Sequence, residues 1–227
     1  MSLIFAGLPI GNKDDVTNRI ILAIKQARII AAEDTRKFKI FLQKQKISLI
    51  NTKIVSFYEH NEDKMQENLV NISLKENVLV VSDAGMPTIS DPGWKLLKLA
   101  VEKNVELAIL PGPSAFLLAL IYSGFPIDKF TFLGFAPRKN QKIQTFYKEI
   151  ARSSITTVFY ESPHRIAKSL EIACKFLPGR KIALCRELTK IHEEIIRADI
   201  EEVLDIIVTR LNKGAKLGEI TVVVSPN

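Results

Sequence analysis

The order of short apolar runs and helical patterns constrains this chain more than any other feature. Residues 3–6, 28–32, 53–57, 78–81 and 106–110 are short, largely aliphatic runs, and helical patterns follow them at 16–27, 36–44, 63–74, 92–103 and 115–123. Brief runs bounded by turn formers read as buried strands, and the longer amphipathic stretches read as helices. Strand and helix in alternation predict an open, mostly parallel sheet with helices on both faces. After Gly124-Phe125-Pro126 the pattern changes: strands near 131–133, 156–160, 182–185, 193–197 and 220–224 are interrupted by helices near 141–151, 163–176 and 200–212. The two strands inside 182–197 lack a long helix between them, so they predict antiparallel pairing and a mixed second sheet. The boundary falls within 113–126, giving an N-terminal α/β domain over 1–115 and a C-terminal one over 116–227.

At 227 residues the chain can bury a real core as one large domain or two small ones. No apolar run is long enough to span a bilayer, and the first residues lack the basic stretch of a signal peptide, so a cytoplasmic protein is expected. Cys174 and Cys185 are not spaced as a zinc ribbon or redox pair, and the three histidines are scattered, so no metal is expected. Thirty-two basic against twenty-five acidic side chains give +7, which favours a polyanionic partner. The clusters Arg36-Lys37-x-Lys39, Lys44-x-Lys46 and Arg138-Lys139-x-x-Lys142 sharpen that reading, although each alone is an ordinary solvated face.

The richest stretch is 79–93, L-V-V-S-D-A-G-M-P-T-I-S-D-P-G. A strand ends in a loop with Gly85, Pro87 and two aspartates, and Asp91-Pro92 predicts a helix start, Asp as cap and Pro at the first helical position. The loop is long for a strand-to-helix connection, which favours function over turn chemistry. Such loops, outside the carboxyl ends of parallel strands, are where α/β proteins bind ligands.

Four further loops resemble it. Gly7-Leu8-Pro9-Ile10-Gly11-Asn12 permits close backbone approach but is neither the G-x-G-x-x-G dinucleotide fingerprint nor a Walker loop. Glu33-Asp34-Thr35-Arg36 reads equally as a helix cap or as carboxylates and an arginine at a cleft rim. Leu110-Pro111-Gly112-Pro113-Ser114-Ala115 offers backbone and a hydroxyl, without the G-x-S-x-G elbow of a serine nucleophile. Phe159-Tyr160-Glu161-Ser162-Pro163-His164-Arg165 repeats the cap-then-proline grammar, and Arg186-Glu187-Leu188-Thr189-Lys190 adds another dense polar cluster after a strand.

Taken in order, L-P-I-G-N, A-A-E-D-T-R, E-H-N-E, the 82–93 block, P-G-P-S-A, F-Y-E-S-P-H-R, R-E-L-T-K and G-E-I-T-V-V-V resemble the ribosomal small-subunit methyltransferase I family of the tetrapyrrole-methylase superfamily, essentially end to end. That resemblance implies two α/β domains of the tetrapyrrole-methylase type with a cofactor cleft between them, S-adenosylmethionine as methyl donor, a homodimer, and 2′-O-methylation of a cytidine of 16S rRNA near the decoding site. It implies donor contacts at Leu8 and Pro9, at Gly85, Met86 and Ile89, and at Gly112, Pro113 and Ser114. Tyr160, Leu188 and the backbone from Glu219 to Thr221 would complete that pocket. The chain departs from the family pattern at Met86, where relatives often have Thr or Asp, at Lys13, which replaces an apolar residue, and at Leu217, inserted into the usual K-G-E.

A ribose 2′-hydroxyl is a poor nucleophile while protonated, so a carboxylate or neutral lysine within reach would take its proton. Glu33, Asp34, Glu161 and Glu187 are the expected acidic residues around it, none singled out as the base. Arg36, Arg165, Arg186 and Lys190 are expected on flanking phosphates, with Lys37, Arg138, Lys139 and His164 extending the RNA-binding rim. Two other functions share part of this pattern: a small-molecule tetrapyrrole methylase, which should lack a basic rim, and a non-catalytic RNA-binding assembly factor.

Overall fold

The computed structural model describes residues 1–227, which divide into two compact units, Met1–Ser114 and Ala115–Asn227. No helix is long and apolar enough to cross a membrane.

In the first unit the elements are β1 (Leu3–Ala6), α1 (Asn18–Gln26), β2 (Ile29–Ala32), α2 (Thr35–Lys44), β3 (Lys53–Ser56), α3 (Glu62–Ser73), β4 (Val78–Val81), α4 (Trp94–Glu102) and β5 (Leu107–Leu110). The strands form one fully parallel sheet, β3-β2-β4-β1-β5. β1 and β4 are buried along their whole length, as expected of central strands covered on both faces. Ile4, Ala6, Leu79 and Val81 pack with Ile20, Ile24, Phe38 and Leu42 of α1 and α2. Leu3, Phe5, Val78 and Val80 pack with Leu69, Val70, Leu96 and Ala100 of α3 and α4. The chain thus leaves β1 toward one face and the adjacent β4 toward the other, so their carboxyl ends flank a topological switch point, where open α/β sheets bind ligands.

Thr17 caps α1 through Oγ1, which accepts from the Ile20 N–H at 3.3 Å, and Asp34 caps α2 by accepting from Arg36 N and Lys37 N. α4 departs from expectation. It begins at Trp94, with Gly93 at its N-cap position (φ 119°), so neither Asp91 nor Pro92 is helical. Thr88 N–H donates to the Pro92 carbonyl at 3.2 Å, holding that residue in the loop. The capping group comes instead from α3: buried Glu62 Oε1 accepts from Gly93 N (3.2 Å), Lys95 N (2.9 Å) and Leu96 N (3.2 Å). Lys95 returns the favour with an ion pair to Asp63 at 2.7 Å. Glu62→Ala leaves these donors in a buried setting without an acceptor, so unfolding in urea should show a loss of roughly 2–3 kcal/mol, against a few tenths for Asp63→Ala on the exposed pair.

The second unit holds α5 (Ala115–Ser123), β6 (Phe130–Phe135), α6 (Asn140–Arg152), β7 (Thr156–Glu161), α7 (Ile166–Cys174), β8 (Lys181–Arg186), β9 (Glu194–Asp199), α8 (Ile200–Asn212) and β10 (Ile220–Val224). Its sheet is mixed, β6-β7-β10-β8-β9: β6 and β7 are parallel, and the other pairings are antiparallel, β8 with β9 as expected. Phe159, Ile182, Leu184, Ile220 and Val222 pack under α6, α7 and α8, while α5 covers the other face. The helix expected at 163–176 begins only at Ile166, because residues 162–165 make a turn closed by Arg165 N–H to the Ser162 carbonyl at 3.0 Å.

Candidate functional site

At the switch point of the first unit the loops after β1, β4 and β5 are joined by backbone. Leu8 N–H donates to the Gly85 carbonyl at 2.9 Å and Gly85 N–H to the Leu8 carbonyl at 2.8 Å, a reciprocal bridge between two loops. Gly7 packs so tightly that a Cβ there would lie 2.5 Å from Met86 Sδ and 2.8 Å from Gly112 Cα. Gly112 N–H points at Met86 Sδ, 3.2 Å away, and Gly85 faces Ile10 and the Pro113 carbonyl. The segment beyond is strained: Thr88 (φ 73°) and Ser90 (φ 64°) sit in the left-handed region although neither is glycine. For a β-branched residue that conformation is a marked outlier, and such strain gathers at ligand-binding loops. Ile89 between them stays exposed.

Beside these loops stands a group of carboxylates. Asp83 Oδ1 accepts from the Asp34 N–H at 2.9 Å, and Glu33 Oε2 accepts from the Asp83 N–H at 3.2 Å, so the loops after β2 and β4 clasp each other. Lys37 completes the clasp with Asp83 at 2.6 Å. Burial pushes the Glu33 pKa up, against the hydrogen bond from Asp83 N–H. Burial, and then the charges of Glu33 and Asp83, push Asp91 up to about 7, while a hydrogen bond with Ser82 pulls the other way. Asp34 lies at the opposite extreme: the Arg36 guanidinium, bonded at 2.8 Å, holds it well below the usual carboxylate range.

In the second unit the carboxyl ends of β6, β7 and β8 and the amino ends of β9 and β10 share one sheet edge. Tyr160 and Thr221 are cross-strand partners on the α5 face, where Phe116 stacks on Phe132 at 4.3 Å and Phe132 meets Tyr160 edge-on at 5.1 Å. Strand alternation sends Glu161 the other way, with Phe159, into the face under α6 and α7. There the Arg165 guanidinium and the Ser162 N–H, each 2.6 Å away, hold Oε1, and Oε2 is buried without a partner. Glu187 (φ 51°) lies against Gly218 and accepts from the Glu219 N–H at 2.9 Å, while Lys190 reaches both Glu187 and Glu219 at 2.9 Å. Burial raises Glu187, yet that backbone bond and Lys190 outweigh it and leave its pKa lowered. Burial likewise opposes the Lys190 charge, and its two carboxylate partners prevail, so its pKa is raised and it is no neutral base.

The expected residues therefore separate by what already holds them. Leu8, Gly85, Met86, Gly112 and Pro113 come together directly, with Pro9, Ile89 and Ser114 on the same loops. Tyr160 and Thr221 pair in the second unit, Glu219 joins the Glu187–Lys190 cluster, and Leu188 is buried. Glu33 and Asp34 meet in the clasp of the first unit. Glu161 and Glu187 belong to separate arrangements of the second, one within its core and the other in the β8–β10 loops. Among the expected phosphate ligands, Arg186 is directed inward, donating to the Leu217 and Lys216 carbonyls and to Glu194. Arg165 is pinned to Glu161 and the Ala136 carbonyl, and Lys37, Arg36 and Lys190 have carboxylate partners. Arg138, Lys139 and His164 are exposed. Asp83 and Asp91 were not among the expected acids, although two aspartates in an overlong loop were the signal for them.

Comparison with known proteins agrees with the fold. The family model of Tetrapyrrole (Corrin/Porphyrin) Methylases matches residues 2–204. Ribosomal RNA small subunit methyltransferase I of Hydrogenobaculum sp. (strain Y04AAS1) is 41% identical over 227 residues, 99% of this chain and 96% of that one. Its counterpart from Thermotoga maritima is 39% identical over 226 residues, 98% and 97% of the two chains. The crystal structure of the methyltransferase CobJ shares the fold, with a TM-score of 0.71 at 20% identity over 99% of this chain and 94% of that one. The chain belongs to the tetrapyrrole methylases, and within them to the ribosomal RNA small subunit methyltransferase I family.

Proposed function

We propose that this protein transfers a methyl group from S-adenosylmethionine to the 2′-hydroxyl of a cytidine in 16S rRNA near the decoding site, acting in the cytoplasm as a homodimer. The observation that carries the reading is the set of stitched loops at the β1/β4 switch point, beside a carboxyl group poised near neutrality. The residues suit the donor: Pro9, Met86 and Ile89 offer apolar surface over buried Leu8, Gly85, Gly112 and Pro113 let a ligand approach the backbone closely, and the nearby carboxylates favour a sulfonium cation. Tyr160, Leu188 and Thr221 are further donor contacts that the family resemblance implies. Bound there, S-adenosylmethionine supplies an electrophilic methyl group.

The protein's own part is to position the ribose and accept its proton. In-line displacement draws much of its rate from alignment, which the clasp between the β2 and β4 loops enforces. The proton acceptor must be available and matched to the working pH. Asp34 and Glu187 have lowered pKa values and Glu161 is held by Arg165, so Asp91 and Glu33 are the residues left to serve. Exposed Leu117 and Ile121 of α5 support the homodimer, since apolar surface of this kind is what a second copy covers.

The test combines binding and turnover. Titration with S-adenosylmethionine should release heat, which a purely RNA-binding factor would not give. Labelled methyl should then appear on the ribose of a cytidine in small subunits from a strain lacking the protein. Glu33→Gln should slow that transfer by roughly tenfold or more, with Asp34→Asn, Glu161→Gln and Glu187→Gln retaining the pH dependence of the parent. Wild-type protein that leaves such subunits unlabelled sinks the reading.

A further inference from the structure

Phe135 ends β6 with its side chain 58% exposed, an unusual setting for a large apolar ring at the end of a strand. One flank of the ring rests on Tyr160, centroid to centroid 5.2 Å, and the rest faces solvent. The residue after it is held firmly: Ala136 N–H donates to the Tyr160 carbonyl at 2.9 Å, and the Ala136 carbonyl accepts from the Arg165 guanidinium, itself anchored to Glu161. Arg138 and Lys139 follow at once, with Lys142 in the first turn of α6, all exposed and none ion-paired. His164 and Lys168, also exposed, lie on the neighbouring β7–α7 segment. A rigid, outward-facing aromatic bordered by unpaired cations is the combination that binds single-stranded nucleic acid, the ring taking a base face and the cations the phosphates.

We propose that Phe135 is a stacking platform for an unpaired base of the RNA substrate, with Arg138 and Lys139 on the adjoining phosphates. Only the identity of the RNA rests on the function proposed above. A second copy of the chain is the poorer occupant, because a two-fold interface would bring the same cations face to face. Tyr160 braces the platform from behind, and the Glu161–Arg165 pair, unsuited to proton transfer, acquires a role in holding the loop that carries it.

The probe is a fluorescein-labelled single-stranded RNA of about a dozen nucleotides, titrated by anisotropy without methyl donor, beside a duplex of the same composition. Loss of stacking is worth about 5- to 150-fold, so Phe135→Leu should weaken single-strand binding within that range and leave duplex binding within twofold. Phe135→Trp should restore it. The salt dependence should be unchanged in Phe135→Leu, whereas the Arg138→Ala/Lys139→Ala double variant should flatten the logarithmic slope by about 1.4, two single-strand phosphate contacts at about 0.7 each. Equal single-strand affinity for Phe135→Leu and wild type overturns the proposal, as does an equal loss on duplex. So does sedimentation showing that Phe135→Leu splits a wild-type dimer. A wild-type protein that fails to methylate small subunits yet shows this ring-dependent binding would defeat the proposed reaction and leave the platform standing.

Discussion

Asp91→Asn should lower methyl transfer by roughly 10²- to 10⁴-fold, the usual contribution of a positioned proton acceptor, and at the same time stabilise the protein above neutral pH. Both effects follow from one cause. Burial, reinforced by Glu33 and Asp83, lifts this carboxyl from its ordinary 3.8 to about 7. The folded state therefore binds the proton more tightly than the unfolded chain does. That contribution to stability is fully present below 3.8 and is lost as the pH rises through about 7. A shift of this size corresponds to about 4 kcal/mol at full strength, and the partial exposure of the group reduces the expected effect to about 2 kcal/mol. Asparagine carries no titrating proton, so urea unfolding at pH 8 should favour the variant and unfolding near pH 4 should not. The rate profile gives the matching signature: wild type rises through about pH 7, and the variant is flat there. Wild-type turnover by Asp91→Asn, with a pH-independent unfolding midpoint in the parent, would remove Asp91 from the reaction.

Gly112→Ala should be the most damaging single methyl group in the first unit. The added Cβ would lie 2.6 Å from the Gly7 carbonyl oxygen and 2.7 Å from both Gly7 C and Gly7 Cα. These atoms are backbone, and β1 and β5, which lead directly into the two glycines, are locked in register from Leu3 to Ala6. No rotamer change relieves the overlap, so the loops must part, at a cost of about 3 kcal/mol for a packed site. Parting them also disturbs the Met86 contact and the Leu8–Gly85 bridge next to it, so the heat of S-adenosylmethionine binding should disappear before the fold does. Gly124→Ala is the control. It has nothing within 4 Å, and only its positive φ of 72° penalises a side chain, at about 1 kcal/mol. Equal unfolding midpoints and equal binding heats for wild type and Gly112→Ala would show that the loop contact does not organise the site.

The elements of the fold were legible because their signals are local. Val78–Val81 is a continuous apolar run and β4 is a fully buried central strand; the absence of a helix between residues 186 and 193 foretold the antiparallel β8–β9 pair. The loops that meet at the β1/β4 switch point were legible too, since a strand, a glycine and a proline lie within a few residues of one another. The polar residues were not. Asp91 has the grammar of a helix cap, yet Glu62, some thirty residues earlier in the chain, reaches the α4 amides first. Arg186 has the grammar of a phosphate ligand, yet the Leu217 and Lys216 carbonyls and Glu194 surround it. Glu161 stands beside Tyr160 in sequence and on the opposite face of the sheet in space.

By itself the sequence determined which segments are strands and helices, the parallel and mixed character of the two sheets, and which loops gather at the carboxyl edge of the first one. Only the tertiary structure decided which charged groups are bound to partners and which are available. Apolar periodicity is written in neighbouring residues, whereas the state of a carboxylate depends on burial and on charges brought to it from distant parts of the chain.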